Sequence, residues 1–138
     1  MGPNNSNPVY RSLLDMLATP QTPILSAIPI APARKPGTDK GGRDFSPATK
    51  LAVWQKATVA PDLDPAQYRL DACGAVITWA RYGDTTPGGN GWEIDHIYPF
   101  ALGGLDDIGN LQALQWQNNR KKGDRTDMNY CEVFRSRS

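Results

Sequence analysis

One stretch of the sequence carries side chains that could together perform hydrolysis assisted by a metal ion. Asp95 and His96 are neighbours, and Asn119 lies 23 positions after the histidine. A neutral imidazole is suited to take a proton from water near neutral pH. A carboxylate and a carboxamide offer oxygen ligands to a hard divalent cation. Because the chain contains one histidine, any histidine chemistry must use His96.

Basic side chains follow the same stretch and could contact phosphate groups. They are Arg120, Lys121, Lys122 and Arg125. Guanidinium and ammonium groups beside a cation site are the parts needed for metal-assisted cleavage of a phosphodiester. The alternative is an ordinary solvated helix face.

The charge is distributed unevenly along the chain. The net charge of +1 argues against a strongly basic protein that coats nucleic acid. Residues 1–50 and residues 109–138 each hold six basic and three acidic side chains, whereas residues 51–108 hold three basic and eight acidic ones. An acidic middle followed by a basic end could place a cation site beside a polyanion site.

The local geometry of Asp95 and His96 sets a condition on the fold. Successive side chains of an ideal strand face opposite sides, so the two residues can serve one site only where the strand ends or bulges. Pro99 and the glycines that follow it favour an early strand end.

The elements that must position these residues can be read from capping and strand signals. Ser46-Pro47 predicts a helix start, and Asp64-Pro65-Ala66-Gln67 repeats that signal. The first helix is predicted to end near Ala57, and strands are predicted at 75–82, 92–97 and 110–114. A second helix is predicted at 115–122, with Gly123 as the residue that terminates it. This order predicts a small α+β unit.

The N-terminal part has a different composition. The first 36 residues contain seven of the twelve prolines, which excludes long helices and central strands. We therefore predict a Pro- and Gly-rich flexible segment at 1–43 and a folded domain at 44–138. Neither contains a membrane span or a secretory signal, so the expected location is the cytoplasm.

A set of motifs in register resembles the HNH endonuclease family of ββα-metal nucleases. The motifs are Asp95-His96-x-x-Pro99, Gly103-Gly104, Asn110-Leu111 and Asn119-x-x-Lys122-Gly123. The core of the resemblance covers residues 92–124, and a weaker similarity to small bacterial HNH proteins extends back through Tyr68-Arg69-x-Asp71-x-Cys73-Gly74. The resemblance implies a ββα-metal nuclease domain preceded by short helices and a strand, in a protein of bacterial or phage origin.

The resemblance also implies roles for individual residues. His96 would be the general base that activates water. Asp95 and Asn119 would hold one divalent ion, Mg²⁺ or Mn²⁺, and Asn110 would tie down the loop between the two strands. The implied substrate is DNA, with RNA as the alternative, and the implied products carry a 5′ phosphate and a 3′ hydroxyl.

Two departures from the family pattern affect the expected metal content. Asn119 stands where many members have histidine, which favours Mg²⁺ or Mn²⁺ over Zn²⁺. Gln115 and Asn118 stand where many members have a zinc-binding cysteine pair, so no structural zinc is expected. Packing must then brace the fold, and the expected core residues are Trp79, Trp92, Trp116 and Leu114. Cys73 and Cys131 are expected as free buried thiols, with a disulfide as the alternative.

Other residues near the motif have ordinary structural interpretations. Glu93 is expected on an exposed strand position, with a supporting role for the metal or for water as the alternative. Asp106-Asp107 is expected in a solvated loop, with tuning of the nearby ion as the alternative. Replacement of His96 by alanine is expected to remove activity with little loss of folding.

Two alternatives remain for the function. One is a nucleic-acid-binding module that keeps the fold without catalysis. The other is the nuclease domain of a bacterial toxin, which would have an immunity protein as its partner.

Overall fold

The computed structural model describes residues 35–135, which contain two helices and four short strands. The elements are α1 (Pro47–Lys56), β1 (Tyr68–Leu70), β2 (Val76–Thr78), β3 (Trp92–His96), β4 (Leu111–Gln115) and α2 (Trp116–Lys122). Strands β1 and β2 form one antiparallel pair, and β3 and β4 form another. This arrangement is a small mixed domain compatible with the ββα architecture. No helix of residues 35–135 is long and apolar enough to cross a membrane.

The β3–β4 pair lies between the two helices, and this placement buries every residue of β3. On one face, Trp92 and Ile94 join the apolar core with Trp54 of α1. On the other face, Glu93 and Asp95 contact polar side chains of α2. Because side chains alternate along a strand, β3 has one apolar face and one carboxylate-bearing face.

The ends of both helices agree with the sequence signals. The Ser46 side chain accepts a hydrogen bond from the Thr49 amide at the start of α1, with Pro47 in the first helical position. Gln115 caps α2 through its side-chain oxygen, and Gly123 follows the last helical residue.

Two predicted elements differ in the structure. The segment that begins at Asp64 forms a single turn, in which the Asp64 carbonyl accepts hydrogen bonds from Gln67 and Tyr68. It cannot continue as a helix because β1 begins at Tyr68 and pairs with β2. The predicted strand at 75–82 ends at Thr78, where a 3₁₀ turn of Trp79–Arg81 follows.

Two of the tryptophans that the sequence places in the core are not buried there. Trp92 and Leu114 are buried as expected, and Trp54 is buried against Trp92 with ring centroids 5.3 Å apart. Trp79 is 37% exposed and Trp116 is half-buried, so neither belongs to the core. The core centres on the first helix because α1 covers the apolar face of β3.

Residues 35–43 contact the folded domain, in contrast to the flexible segment predicted there. Thr38 is buried and forms an isolated bridge with Asp44. The Tyr82 hydroxyl donates a hydrogen bond to the Gly37 carbonyl at 3.1 Å. The rest of the predicted flexible segment, residues 1–34, lies outside the described part of the chain.

The buried carboxylate of Asp71 connects three parts of the domain. One of its oxygens accepts hydrogen bonds from the Cys73 and Ala75 amides, each at 2.8 Å. The other accepts from the Gln115 amide at 2.9 Å and from Asn118 Nδ2 at 3.1 Å. Gln115 and Asn118, the residues at the zinc-knuckle positions, are therefore joined to the β1–β2 turn by hydrogen bonds.

A disulfide joins Cys73 to Cys131, so the expectation of free buried thiols is wrong. Asn118 explains the approach of the two cysteines. Its Oδ1 accepts hydrogen bonds from the Glu132 and Val133 amides, each at 2.8 Å. Since Asn118 also binds Asp71, the C-terminal segment is held beside Cys73, and the two cysteine Cα atoms lie 5.4 Å apart.

We expect the disulfide to stabilise the domain by constraining its unfolded state. The cysteines are 58 residues apart in sequence, and closing a loop of that length contributes about 2–4 kcal/mol. The double variant Cys73→Ser, Cys131→Ser should lose that amount of unfolding free energy in urea titrations. A reducing agent should shift the wild-type midpoint equally and leave the double variant unchanged. Equal midpoints with and without reductant would contradict the disulfide.

Candidate active site

His96 is the last residue of β3, and its imidazole is buried on the apolar side of the strand. The side chain is 4% exposed, and its ring centroid lies 6.1 Å from that of Phe45 and 6.3 Å from that of Phe100. This burial counts against the expectation that replacing His96 by alanine costs little folding stability. The strand does end at this residue, as the shared use of Asp95 and His96 requires.

The Nε2 atom of His96 lies 2.7 Å from an Oδ atom of Asp106. The same carboxylate accepts the Lys40 amide, at 3.2 Å to one oxygen and 3.1 Å to the other. Asp106 was expected to solvate its loop or to tune the nearby ion, and the structure places it against the candidate base. Sequence spacing gave no signal for this contact, since it depends on how the loop after β3 folds back.

Asp95 faces away from the apolar core and lies at the β3–α2 interface. Its carboxylate accepts a hydrogen bond from Gln112 Nε2 at 3.0 Å, and it lies 3.2 Å from the Lys122 ammonium. Burial raises the pKa of Asp95 above its ordinary value. The hydrogen bond from Gln112 and the charge of Lys122 oppose that rise without cancelling it.

Lys122 occupies a buried position, in contrast to the predicted phosphate contact. Its residue exposure is 3%, and Nζ donates a hydrogen bond to the His96 carbonyl at 2.9 Å. The ammonium therefore binds the end of β3 and neutralises the Asp95 carboxylate. An ammonium enclosed in this way cannot contact a phosphate, so the prediction that Lys122 binds phosphate is wrong.

Asn119 lies on the same side of α2 as Lys122, one turn earlier, and it contacts Glu93. Asn119 Nδ2 donates a hydrogen bond to Glu93 Oε1 at 2.8 Å. Glu93 is buried, so its expected exposed position is wrong. Strand alternation carried a usable signal, because residues 93 and 95 must share a face of β3.

The Glu93 contact also fixes the direction of the Asn119 amide. An ionised carboxylate can only accept hydrogen bonds, so Nδ2 must face Glu93 and Oδ1 must point elsewhere. No donor from residues 35–135 contacts that Oδ1. The amide oxygen is therefore available as a ligand.

Asn110 ties together the loop between β3 and β4. Its Oδ1 accepts the Tyr98 amide at 2.8 Å, and its Nδ2 donates to the Tyr98 and Leu105 carbonyls at 3.1 and 2.9 Å. Gly104 is needed where this loop closes, because a Cβ there would lie 1.8 Å from the Tyr98 carbonyl oxygen. This loop carries Asp106 to the His96 ring.

Three predicted phosphate-binding residues are exposed, namely Arg120, Lys121 and Arg125. Arg120 also donates a hydrogen bond to Glu93 Oε2 at 2.8 Å, so Glu93 connects the exposed guanidinium to Asn119. Arg125 lies 3.5 Å from Asp127, a contact between two exposed groups.

Asp95 and Asn119, on β3 and α2, carry oxygen atoms of the type that hard divalent ions prefer. Asp95 offers a carboxylate, and Asn119 offers the amide oxygen that Glu93 leaves free. Among residues 35–135, no three His, Cys, Asp or Glu side chains form a cluster that could hold a metal by themselves. A metal site in this part of the chain would therefore need an oxygen of another type, which Asn119 provides.

Comparison with known proteins identifies the family of this region. Residues 73–125 match the family model described as HNH endonuclease. The matched segment contains β2 to α2 and all of the candidate base and ligand residues, and it confirms the family resemblance. No curated protein and no solved structure matches the chain.

The buried position of Lys122 predicts a stability difference between two adjacent lysines. Lys122→Met should lower the unfolding free energy by about 3–5 kcal/mol, because it leaves the buried Asp95 carboxylate without its cation. Lys121→Met, at an exposed position of the same helix, should change it by less than about 0.5 kcal/mol. Urea titrations in buffer free of divalent ions measure both. Equal losses for the two variants would show that the Lys122 ammonium is not enclosed.

Proposed function

We propose that this chain, whose residues 73–125 belong to the HNH endonuclease family, is a metal-dependent endonuclease that hydrolyses DNA phosphodiester bonds. The family match supports a nuclease domain in this region, and HNH nucleases act on nucleic acids and generally use a divalent metal. The observation that carries the proposal further is the Glu93–Asn119 hydrogen bond. This bond directs Asn119 Nδ2 toward Glu93 and leaves the amide oxygen of Asn119 without a hydrogen bond in the described part of the chain. Asn119 lies on α2, the helix whose Lys122 contacts Asp95.

Asp95 and Asn119 are the residues that would hold a divalent ion, with Mg²⁺ or Mn²⁺ preferred for oxygen ligands. When bound, such an ion stabilises the negative charge that develops on a scissile phosphate and on the leaving oxygen. Lys122 keeps the Asp95 carboxylate in place at the interface, and Gln112 fixes one of its oxygens.

His96 is the proposed general base. It accepts a proton from the attacking water, which then adds to phosphorus and displaces the 3′ oxygen, leaving a 5′ phosphate. The rings of Phe45 and Phe100 pack near the imidazole, with centroids 6.1 and 6.3 Å away. A base held in this way needs no reorientation before proton transfer.

Arg120, Lys121 and Arg125 are the proposed contacts to the nucleic-acid backbone. Their exposure leaves them free to approach phosphate oxygens, and such contacts position a substrate without reading its sequence. Arg120 has a second task, because its guanidinium also binds the Glu93 carboxylate.

Cleavage of supercoiled plasmid DNA tests the proposal. With Mg²⁺ or Mn²⁺, the wild-type chain should nick or linearise the plasmid. His96→Gln should lower the rate about 10²- to 10⁴-fold, because a general base contributes on that order. Glutamine is chosen over alanine because the imidazole is buried between two rings, and thermal unfolding verifies that the variant folds.

The rival binding module gives a different pattern in the same experiment. It would bind DNA with a salt-dependent affinity that neither the metal nor His96→Gln changes, and it would cleave nothing. That outcome would overturn the nuclease assignment for this chain.

Glu93 is a proposed positioning residue, and its replacement should weaken metal binding. Glu93→Gln presents an amide to Asn119 and Arg120, so the Asn119 oxygen is no longer held in one direction. We expect the Mn²⁺ affinity to fall about 10- to 100-fold, the usual effect of losing a residue that orients a ligand. Titrations that follow free Mn²⁺ by electron paramagnetic resonance measure this. Glu132→Gln removes an exposed carboxylate and should leave the affinity unchanged.

A further inference from the structure

We propose that Asp106 is a positioning residue for His96 that fixes which ring nitrogen acts as the base. This inference rests on the proposed function of His96. The first observation behind it is the 2.7 Å distance between His96 Nε2 and Asp106 Oδ1. The second is that the backbone amide of Lys40 donates hydrogen bonds to the same carboxylate.

The chemistry of the contact assigns the proton on the ring. An ionised carboxylate has no proton to donate, so Nε2 must be the donor. A neutral imidazole carries one N–H, and the lone pair is then left on Nδ1. Nδ1 is therefore the nitrogen that accepts the proton from water. The two phenylalanine rings restrict the ring's position, and Asp106 selects its tautomer and rotation.

Asp106 is itself held by a backbone group from outside the matched family segment. The Lys40 amide donates to both oxygens of the carboxylate, at 3.2 and 3.1 Å. Residue 40 is the second position of a turn that the Gly42 amide closes onto the Asp39 carbonyl at 2.9 Å. Residue 40, in the segment whose composition predicts flexibility, therefore contacts the carboxylate that binds the candidate base.

The single histidine of the chain makes the tautomer directly measurable. In protein labelled with ¹⁵N-histidine, all imidazole signals come from His96. At a pH where the ring is neutral, the wild type should show one Nε2–H proton shifted downfield by its hydrogen bond, and an unprotonated Nδ1. Asp106→Ala should lose the downfield proton and show a mixture of tautomers. Asp106→Asn can present its amide nitrogen to Nε2 while its oxygen accepts the Lys40 amide, so it should populate the Nδ1–H tautomer.

Kinetics on the full chain complete the test. Asp106→Ala should lower kcat about 10- to 100-fold with little change in KM, because it loses the orientation of the base and no substrate contact. Asp106→Asn should not recover that loss, because the tautomer it favours carries its proton on Nδ1, the proposed basic nitrogen. Asp107→Ala removes the adjacent exposed carboxylate and should match the wild type in both rate and spectrum.

The backbone clamp can be tested separately at residue 40. Lys40→Pro removes the amide proton that binds Asp106, at a turn position where proline is favoured. It should broaden the downfield imidazole proton and lower kcat. Lys40→Ala keeps the amide and should give the wild-type imidazole spectrum.

The two proposals fail in different ways. An Nδ1–H tautomer in the wild type, or a spectrum that Asp106→Ala does not alter, would overturn the role of Asp106 whatever the enzyme cleaves. Absence of cleavage by the wild type would overturn the nuclease proposal, while the imidazole spectrum would still report the contact with Asp106.

Discussion

The arrangement of the candidate site depends on one buried ammonium group. Lys122 reaches from the last turn of α2 to the carbonyl of His96 and the carboxylate of Asp95, so it fixes the helix to the end of β3. Enclosing a charge is costly unless it is paired and hydrogen-bonded, and here both partners come from the strand that carries the site. With α2 docked in this way, Asn119 lies against Glu93.

The two faces of β3 carry different parts of the proposed site. On the carboxylate face, Glu93 binds Asn119 and Asp95 binds Lys122, both polar or basic side chains of α2. The apolar face ends in His96, held among aromatic rings that continue the core around Trp92. Side chains on opposite faces of a strand can serve one site only where the strand ends, and Asp95 and His96 are the last two residues of β3.

The sequence predicted the elements that local signals specify. The capped helix starting at Pro47, the strand at Trp92 and the helix ending at Gly123 all follow from capping and periodicity, and the motif register located Asp95, His96 and Asn119. What it missed depends on contacts between distant segments. Asp106 meets His96 only because the intervening loop closes, and Cys131 meets Cys73 only because Asn118 holds the C-terminal backbone. The burial of Glu93 and Lys122 was predictable in principle, because each shares a face with a motif residue.

The disulfide makes the stability of the domain depend on the redox conditions around it. Gln115 and Asn118 stand at the positions of the zinc-binding cysteines in the family pattern, and both donate hydrogen bonds to Asp71. Asp71 also binds the Cys73 amide, and Cys73 forms a disulfide with Cys131. A chelator would compete for an ion at the proposed Asp95–Asn119 site without breaking the disulfide. The thiol–disulfide potential of the solution, by contrast, decides whether the disulfide exists. The stability of the fold therefore responds to redox conditions, which are independent of the divalent-ion concentration on which the proposed activity depends.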